Sequence, residues 1–483
     1  MPSYECAPGA ARRPLGTTYA RRQPEKSVLH EVLGEHLESF LEELACEGRY
    51  LPRYVVEELR RFLPCGLLSE GFARVQCRTC GDELLVAFSC KGRAFCPSCC
   101  ARRMSDTAAH LVDRVLPEAP YRQWVLSYPY PVKLALARDG KAASQSCKIP
   151  VSEIFRLHRR RAKKAGHRGA QPGAVSFTQR FGSKLNGHLH HHLVVPDAVF
   201  EEGEECGARR VDLPPPTRDE LARVLARVVR RTMEMLRSRG LLEEEVDLDD
   251  ALSLVQAEAL QSTCGRAARV RPLRRFAVDQ DGFSLEAGTH LHPNDRPGLE
   301  HLCRYGLRPP FAQHRLTWLG DGRINLELRR PTPDGVQAVA FTPRQFLTRL
   351  SAIVPPPRVH LTGYHGVFAG RARLRRALRP PAKIEEAPGE DPPRQKDVQR
   401  ERRLPWAELL ERVFHEDVMV CDKCGGRRRV IAIVADPKQA RETLAELGVA
   451  FEPLVVRKAR GPPVQLDLTA PGPLDGLHPV YPD

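Results

Sequence analysis

The sequence predicts an α+β protein in which an antiparallel sheet backed by helices follows a cysteine-rich module. Two apolar, partly alternating runs, GAVSFTQRF (173–181) and HLHHHLVVPDAVF (188–200), flank the segment GSKLNG. This is the pattern of an antiparallel hairpin with a Gly/Asn turn. Helical periodicity occurs on both sides of the hairpin, and two Cys-x2-Cys pairs precede it.

The elements before the hairpin follow from local patterns. An amphipathic pattern at 28–47 predicts a helix after an N-terminal tail. The stretch QWVLSYPYPVKLAL (123–136) has β character, and a basic run at 156–169 ends in glycine. We therefore expect the sheet to begin near residue 123.

The elements after the hairpin are marked by caps and turns. Thr217 and Glu220 form a capping box that starts a helix with one apolar face. Residues 314–343 read as a β-meander with turns at 320–322 and 333–335. A Pro-rich, charged segment at 380–403 predicts a linker.

Composition restricts the class of protein. The 483-residue chain is 42% hydrophobic and carries a formal net charge of +15, which favours a polyanionic partner such as nucleic acid. It has neither a run of about 18 apolar residues nor an apolar N-terminal signal segment. We expect a cytoplasmic protein whose cysteines bind metal or stay reduced.

The first cysteine block predicts a zinc site. Cys77 and Cys80 form one Cys-x2-Cys pair, and Cys96 and Cys99 form another. Two such pairs supply the four thiolates of a closed, structural zinc site, in which Cys90 could replace one ligand. A later pair, Cys421 and Cys424, has no second pair near it in the sequence. Zinc binding there, with help from His415, and a metal-free turn are equally good interpretations.

The histidine-rich run predicts a second kind of metal site. On a strand, His188, His190 and His192 share one face, while His191 points to the other. Alternate positions lie about 6.6 Å apart, so two imidazoles can bind one cation and three cannot easily do so. A His-x-His pair with open coordination positions suits a divalent cation, with a His-rich surface strand as the alternative.

Five blocks in a fixed order resemble one known family. The blocks are FARVQCRTCGDELLVAFSCKGRAFCPSCCARRM, NGHLHHHLVVPDAVF, LCRYGLRPPFAQHRL, VPPPRVHLTGYHGVFA and DVMVCDKCGG. With these blocks the chain resembles the rolling-circle transposases of insertion sequence ninety-one and of the insertion-sequence common-region elements, which belong to the HUH (His-hydrophobic-His) endonuclease superfamily.

The resemblance implies the identity of the metal ligands. It assigns structural Zn²⁺ to the N-terminal cysteine module and places Mg²⁺ or Mn²⁺ on His190 and His192, ahead of Asp197. His188 with His190 fits the superfamily pattern as an alternative register. A third ligand is expected from a neighbouring strand, where the predicted hairpin offers Gln179.

The resemblance also implies a tyrosine nucleophile. Tyr305 of LCRY matches the family position. Tyr364 of GYHG is the rival, in a segment that reads as a turn beyond the meander. Two-tyrosine members carry another tyrosine four residues earlier, where this chain has His301, so it resembles a one-tyrosine member.

The resemblance and the local patterns together predict six segments. These are a disordered tail (1–28), an N-terminal helix with a zinc-binding domain (29–116), an HUH nickase domain (117–379), a linker (380–403), a small CxxC module (404–455) and a second disordered tail (456–483).

The implied activity is transposition of DNA. The enzyme would nick and join single-stranded DNA at element ends through a 5′-phosphotyrosine, acting on single-stranded or hairpin DNA and on target DNA in the bacterial nucleoid, with a homodimer as one arrangement. A basic run is expected either to contact DNA phosphates or, as an equal alternative, to be a solvated charge run; it contains Arg159, Arg160, Arg161, Lys163 and Lys164. The alternatives are an HUH replication initiator or relaxase and a non-catalytic, zinc-dependent DNA-binding protein.

Overall fold

A computed structural model describes residues 22–203, 207–242, 252, 256, 257, 259, 275–332, 335–380 and 419–459. Helices form at α1 (Val28–Cys46), α2 (Arg53–Phe62), α3 (Pro97–Arg114), α4 (Tyr130–Arg138), α5 (Gly140–Lys164), α6 (Arg218–Arg237), α7 (Arg296–Leu307), α8 (Pro343–Ile353) and α9 (Pro437–Glu446). Strands form at β1 (Phe72–Cys77), β2 (Glu83–Ala87), β3 (Tyr121–Ser127), β4 (Gly173–Phe181), β5 (Gly187–Pro196), β6 (Ala198–Glu202), β7 (Ala208–Asp212), β8 (Ala277–Gln280), β9 (Phe283–Leu291), β10 (Leu316–Trp318), β11 (Ile324–Glu327), β12 (Ala338–Phe341), β13 (Thr362–Gly366) and β14 (Arg428–Val434).

A six-stranded antiparallel sheet organises the middle of the chain, in the order β13-β4-β5-β3-β9-β8. The predicted hairpin is confirmed as β4 and β5, and it lies inside the sheet. Because both strands are covered on both faces, most of their residues are buried. The α+β prediction is thereby confirmed.

Different helices cover the two faces of this sheet. Helices α4, α5 and α6 pack on one face, against side chains such as Trp124, Leu189 and Leu193. Helices α3 and α7 pack on the other, against Val175 and Phe177. Strand alternation therefore decides which group of helices each side chain of β4 and β5 meets.

The N-terminal region has its own core. Helices α1, α2 and α8 enclose it together with the three-stranded meander β10-β11-β12, which confirms the predicted meander. Pro333 and Asp334 of its second predicted turn lie outside the described residues. A further sheet has the order β14-β1-β2, so residues 428–434 complete a sheet of the N-terminal region.

Two more local predictions can be compared with the structure. The capping box of Thr217 and Glu220 begins α6 as expected. The prediction of β character throughout 123–136 is wrong in its second half, because the strand ends at Ser127 and a helix begins at Tyr130. Pro129 and Pro131 explain the change, since the first is extended and the second occupies the first helical turn.

Among the described helices, we find none with the length and apolar character needed to cross a membrane.

Candidate functional site

Strand β5 places three histidines on one face of the sheet. The ring centroids of His188 and His190 lie 4.9 Å apart, and those of His190 and His192 also lie 4.9 Å apart. His190 and His192 are buried beneath the layer that contains α7. His188, His190 and His192 therefore share one face of the strand, as the alternation of strand residues predicted.

The fourth histidine, His191, lies on the opposite face and is fully buried. Its Nε2 lies 3.0 Å from the hydroxyl of Ser146, and its Nδ1 lies 3.0 Å from the hydroxyl of Thr178. The ring of Tyr128 meets it edge-on at 5.6 Å. Burial lowers the pKa of His191 to about 3. Both ring nitrogens are thus used in packing, and none is left for a ligand.

The paired histidines present unused nitrogen atoms instead. His190 Nδ1 lies 2.9 Å from the carbonyl oxygen of His188 and donates to it, which leaves the lone pair on Nε2. His192 Nδ1 meets the amide of Gln123 at 3.1 Å, while His192 Nε2 is buried with no hydrogen-bond partner. Burial lowers the pKa of His190 to about 4 and that of His192 to about 2. Both rings are therefore neutral at pH 7, the form that binds cations.

Gln179 joins the hairpin to the helix above it. It stands directly opposite His190 in the β4–β5 register. Its Nε2 donates to the carbonyl oxygens of Tyr305 and Gly306 at 2.9 and 3.0 Å. Its Oε1 is buried without a hydrogen-bond partner. The side chain thus fixes the end of α7 and keeps one oxygen atom available.

Helix α7 carries Tyr305 to the histidine pair. The tyrosine ring lies 5.5 Å from the ring of His192, at an interplanar angle of 89°. Tyr305 remains 36% exposed, so a ligand can approach it from solvent. A Cβ at Gly306 would lie 2.4 Å from the ring of Phe177, so only glycine allows α7 to pack this closely on β4.

Two cationic side chains near the pair were missed by sequence reasoning. The Arg308 guanidinium lies 4.9 Å from the centre of the Tyr305 ring, and its Nε has no partner. Burial lowers the pKa of Lys133 to about 8, and both cations lower the pKa of His190. Neither pairs with a carboxylate among the described residues, which favours an anion at the site. The available signal was the i, i+3 spacing of Tyr305 and Arg308.

The rival tyrosine lies on a strand, so the prediction of a turn around Tyr364 is wrong. Residues Thr362–Gly366 form β13, which pairs with β4 at the edge of the sheet, and Tyr364 faces Val175. The guanidinium of Arg375 lies 5.4 Å from the Tyr364 ring. A Cβ at Gly363 would lie 2.6 Å from the hydroxyl of Ser176, so glycine at this position allows β13 to approach β4 closely.

The cysteines form two groups whose sulfur atoms lie within 4.8 Å of one another. The first group is Cys65, Cys90, Cys96 and Cys99, and the second is Cys77, Cys80, Cys421 and Cys424. The predicted grouping of Cys77, Cys80, Cys96 and Cys99 on one ion is therefore wrong. The physical reason is that strand β2 separates the two pairs, and each pair meets cysteines from elsewhere in the chain.

The first group sits at the start of α3. Cys96 is the N-cap of that helix, and Cys65 Sγ lies 3.7 Å from Cys96 Sγ and 3.8 Å from Cys99 Sγ. Sequence reasoning missed Cys65 because it belongs to no Cys-x2-Cys pair, and kept Cys90 only as a substitute. Helix α3, which begins at this group, packs against α7 through its C-terminal half.

The second group contains Cys421 and Cys424, for which the sequence favoured neither zinc binding nor a metal-free turn. Cys421 and Cys424 do have a second pair, Cys77 and Cys80, but it lies more than 300 positions away in the chain. His415, the other suggested ligand, lies outside the described residues.

The basic run occupies the last turns of α5, on the face of the sheet opposite His190 and His192. Arg161 donates to the carbonyl oxygen of Pro214 at 2.6 Å, and the guanidinium of Arg159 lies 5.9 Å from the Phe155 ring. The side chains exposed to solvent without these contacts are Arg160, Lys163 and Lys164.

Two family models match the chain. Residues 173–376 match the family described as "Putative transposase" (Y2_Tnp), and residues 32–128 match one described as "Transposase zinc-binding domain" (Zn_Tnp_IS91). The first match includes the histidine strand and Tyr305, and the second includes the first cysteine group. With the cysteine geometry, these matches support structural zinc. No curated protein and no solved structure matches the chain.

Proposed function

The chain belongs to the IS91 family of transposases, and on this premise we propose that it nicks single-stranded DNA at element ends through Tyr305. The observation that carries the proposal is the tyrosine ring 5.5 Å from His192, a buried imidazole whose Nε2 has no hydrogen-bond partner. This supports the proposal, because a tyrosine and an unused ring nitrogen lie close together at a partly open surface.

The proposed cation site consists of His190 Nε2, His192 Nε2 and Gln179 Oε1. The residues fit a divalent cation such as Mg²⁺ or Mn²⁺, because two of these three atoms are buried without partners and both imidazoles are neutral. The Gln123 amide can present its oxygen to His192 Nδ1 after rotation about its last bond, which would leave His192 Nε2 unprotonated. When bound, the ion would polarise the scissile phosphate.

The proposed reaction transfers the scissile phosphate from the 3′ oxygen of the DNA to the Tyr305 oxygen, without hydrolysis. The Tyr305 oxygen attacks phosphorus and loses its proton, a P–Oη bond forms, and the bond from phosphorus to the 3′ oxygen breaks. The leaving oxygen takes up a proton as a 3′-hydroxyl, and the 5′ end stays on the protein. Arg308, partly buried beside the ring and without a carboxylate partner among the described residues, would hold the phosphate while this occurs.

The wider reaction follows from one tyrosine per chain. The released 3′-hydroxyl would prime replication in a rolling-circle process, and a second transfer would join the held end to target DNA. Because His301 occupies the position of a second tyrosine, two ends would need a second protomer or sequential use of Tyr305. In this scheme the zinc-binding domain (29–116) recognises single-stranded or hairpin ends, and residues 117–379 perform the chemistry in the nucleoid.

A covalent-adduct assay tests the proposal. Wild-type protein is incubated with labelled single-stranded DNA from an element end and Mn²⁺ or Mg²⁺, then denatured and resolved on a gel. We expect a shifted adduct that Tyr305→Phe abolishes and Tyr364→Phe retains. Gln179→Ala should need about ten times more metal or more for half-maximal reaction, because a ligand oxygen is lost.

The outcomes separate the alternatives. If wild type forms no adduct but binds the DNA tightly, the chain is a non-catalytic DNA-binding protein. If it forms an adduct on plasmid origins but not on element ends, the replication initiator or relaxase function is favoured.

A further inference from the structure

Two distant loops of the chain have the same backbone construction. In Cys77-Arg-Thr-Cys80-Gly81, the N–H of Gly81 donates to the carbonyl oxygen of Cys77 at 3.1 Å. In Cys421-Asp-Lys-Cys424-Gly425, the N–H of Gly425 donates to the carbonyl oxygen of Cys421 at 2.8 Å. Gly81 and Gly425 have φ of +76° and +70°, the left-handed conformation that glycine adopts without strain. The second loop therefore repeats the first.

Both loops also direct backbone N–H groups at sulfur atoms. Thr79 N–H donates to Cys77 Sγ at 3.4 Å, and Gly426 N–H donates to Cys424 Sγ at 3.4 Å. Such bonds stabilise thiolate, the form of cysteine that binds metal.

The two loops face each other. Cys77 Sγ lies 3.5 Å from Cys424 Sγ, and Cys80 Sγ lies 3.6 Å from Cys421 Sγ. Zn–S bonds of about 2.3 Å in tetrahedral geometry imply sulfur separations of about 3.8 Å. The four sulfur atoms are thus spaced for one tetrahedral ion.

One buried cation lies beside the four sulfur atoms. The buried Arg428 guanidinium lies 3.8 Å from Cys421 Sγ and 3.1 Å from a carboxylate oxygen of Asp82. Lys423 Nζ lies 2.6 Å from the other oxygen of Asp82. Lys423 of the second loop and Arg428 of β14 thereby hold Asp82, which follows the first loop.

We propose that Cys77, Cys80, Cys421 and Cys424 bind a second structural zinc ion, which fastens residues 419–459 to the zinc-binding domain. The match to the zinc-binding family ends at residue 128, so half of this site lies outside it. Since β14 pairs with β1, the ion closes a sheet whose strands come from opposite ends of the chain. The domain that carries the N-terminal zinc is then complete only with the C-terminal segment.

Zinc content and thiol protection test the site. Purified full-length protein should hold two zinc ions per chain by mass spectrometry of the metal. Cys421→Ser with Cys424→Ser should hold one, and the control Cys46→Ser, an exposed cysteine outside both groups, should hold two. Equal zinc content in wild type and the double variant overturns the proposal.

A second measurement needs no variant. Cys80 and Cys424 are exposed, as Cys46 is, yet in zinc-loaded protein they should alkylate at least ten times more slowly than Cys46 until a chelator is added. If they react as fast as Cys46, or are found oxidised to disulfides, the site is not a zinc site. Both readouts are independent of DNA cleavage, so the nickase proposal can fail while this one stands.

The fastening role has its own test. A site-specific protease sequence is placed in the predicted linker (380–403), and the cleaved protein is analysed by size exclusion. The C-terminal fragment should co-elute with the rest of the wild-type chain and bind at least ten times more weakly in the double variant. Equal retention in both would show that strand pairing alone holds it.

Discussion

The two faces of strand β5 treat neighbouring histidines in opposite ways. On one face, His191 hydrogen-bonds through both ring nitrogens to Ser146 and Thr178 and serves as packing. On the other face, His192 Nε2 is buried without a hydrogen-bond partner. The ring of His192 lies 5.5 Å from the ring of the partly exposed Tyr305. The difference shows that burial alone does not make a histidine functional. What distinguishes His192 from His191 is a ring nitrogen without a partner beside a tyrosine that solvent can reach.

The sharpest way to break this comparison is to replace the two histidines separately. His192→Ala should lower the nicking rate by about 10³-fold, because several kcal/mol of metal-derived stabilisation is lost. Its cost in unfolding free energy should be smaller, about 1–2 kcal/mol, because only one of its ring nitrogens is hydrogen-bonded. His191→Ala should destabilise the fold by about 2–4 kcal/mol, since it removes hydrogen bonds and opens a cavity. Single-turnover kinetics and urea unfolding measure the two effects. Similar profiles for both variants would remove the distinction.

Arg308 tests whether the His192 face is built for an anion. Arg308→Ala should slow nicking by about 10–100-fold, because a charge-assisted contact of about 1.5–3 kcal/mol is lost. Arg308→Lys should recover part of the rate, and the control Arg304→Ala, which breaks an ion pair with Glu300 on the same helix, should leave the rate within about twofold. Equal losses in the alanine and lysine variants, matched by loss of stability, would indicate a packing role.

Acid stability probes the packing side of the sheet. His158 lies on α5, and burial lowers its pKa from 6.5 to about 3. Between pH 6.5 and pH 3, His158 is protonated in the unfolded chain but stays neutral in the folded chain. Stability therefore falls as the pH drops from 6.5 towards 3. At pH 5 this histidine alone should cost about 2 kcal/mol relative to pH 7.

The measurement compares urea unfolding at pH 7 and pH 5 in wild type and in His158→Leu. The difference between the two pH values should shrink by about 2 kcal/mol in the variant. An unchanged difference would mean that this imidazole is charged in the folded protein.

The smallest effect is expected from the basic run on the packing side. Arg160, Lys163 and Lys164 are replaced by glutamine. If each contacts one phosphate, the slope of log K against log salt concentration for single-stranded DNA binding should become shallower by about 2. The nicking rate at saturating DNA should not change, because these residues lie across the sheet from Tyr305. An unchanged salt slope would identify them as solvated surface charges.

Local patterns predicted how the histidines and Gln179 lie on the sheet, whereas the choice of Tyr305 came from the family resemblance. Strand alternation separates His191 from its neighbours, and the hairpin register places Gln179 opposite His190. Each of these inferences concerns residues close in sequence. The two-residue period of a strand sets which face a side chain occupies, and the length of the turn sets the register of the hairpin.

The failures at the cysteines and at Tyr364 depend on long-range pairing, whereas the helix that begins at Tyr130 was missed for a local reason. Nothing in the local sequence brings Cys65 to Cys96, or Cys421 to Cys80, because chain folding alone closes those distances. Around Tyr364, glycines that resemble a turn in sequence instead allow β13 to approach β4 closely.

The account depends most on the identity of the nucleophile. The direct measurement is to digest the covalent protein–DNA adduct with protease and nuclease and to locate the modified peptide by mass spectrometry. We predict a single nucleotide-bearing tyrosine, Tyr305, in the wild-type protein. A modified Tyr364, another modified tyrosine, or a nucleotide linked to a different residue type would contradict the account.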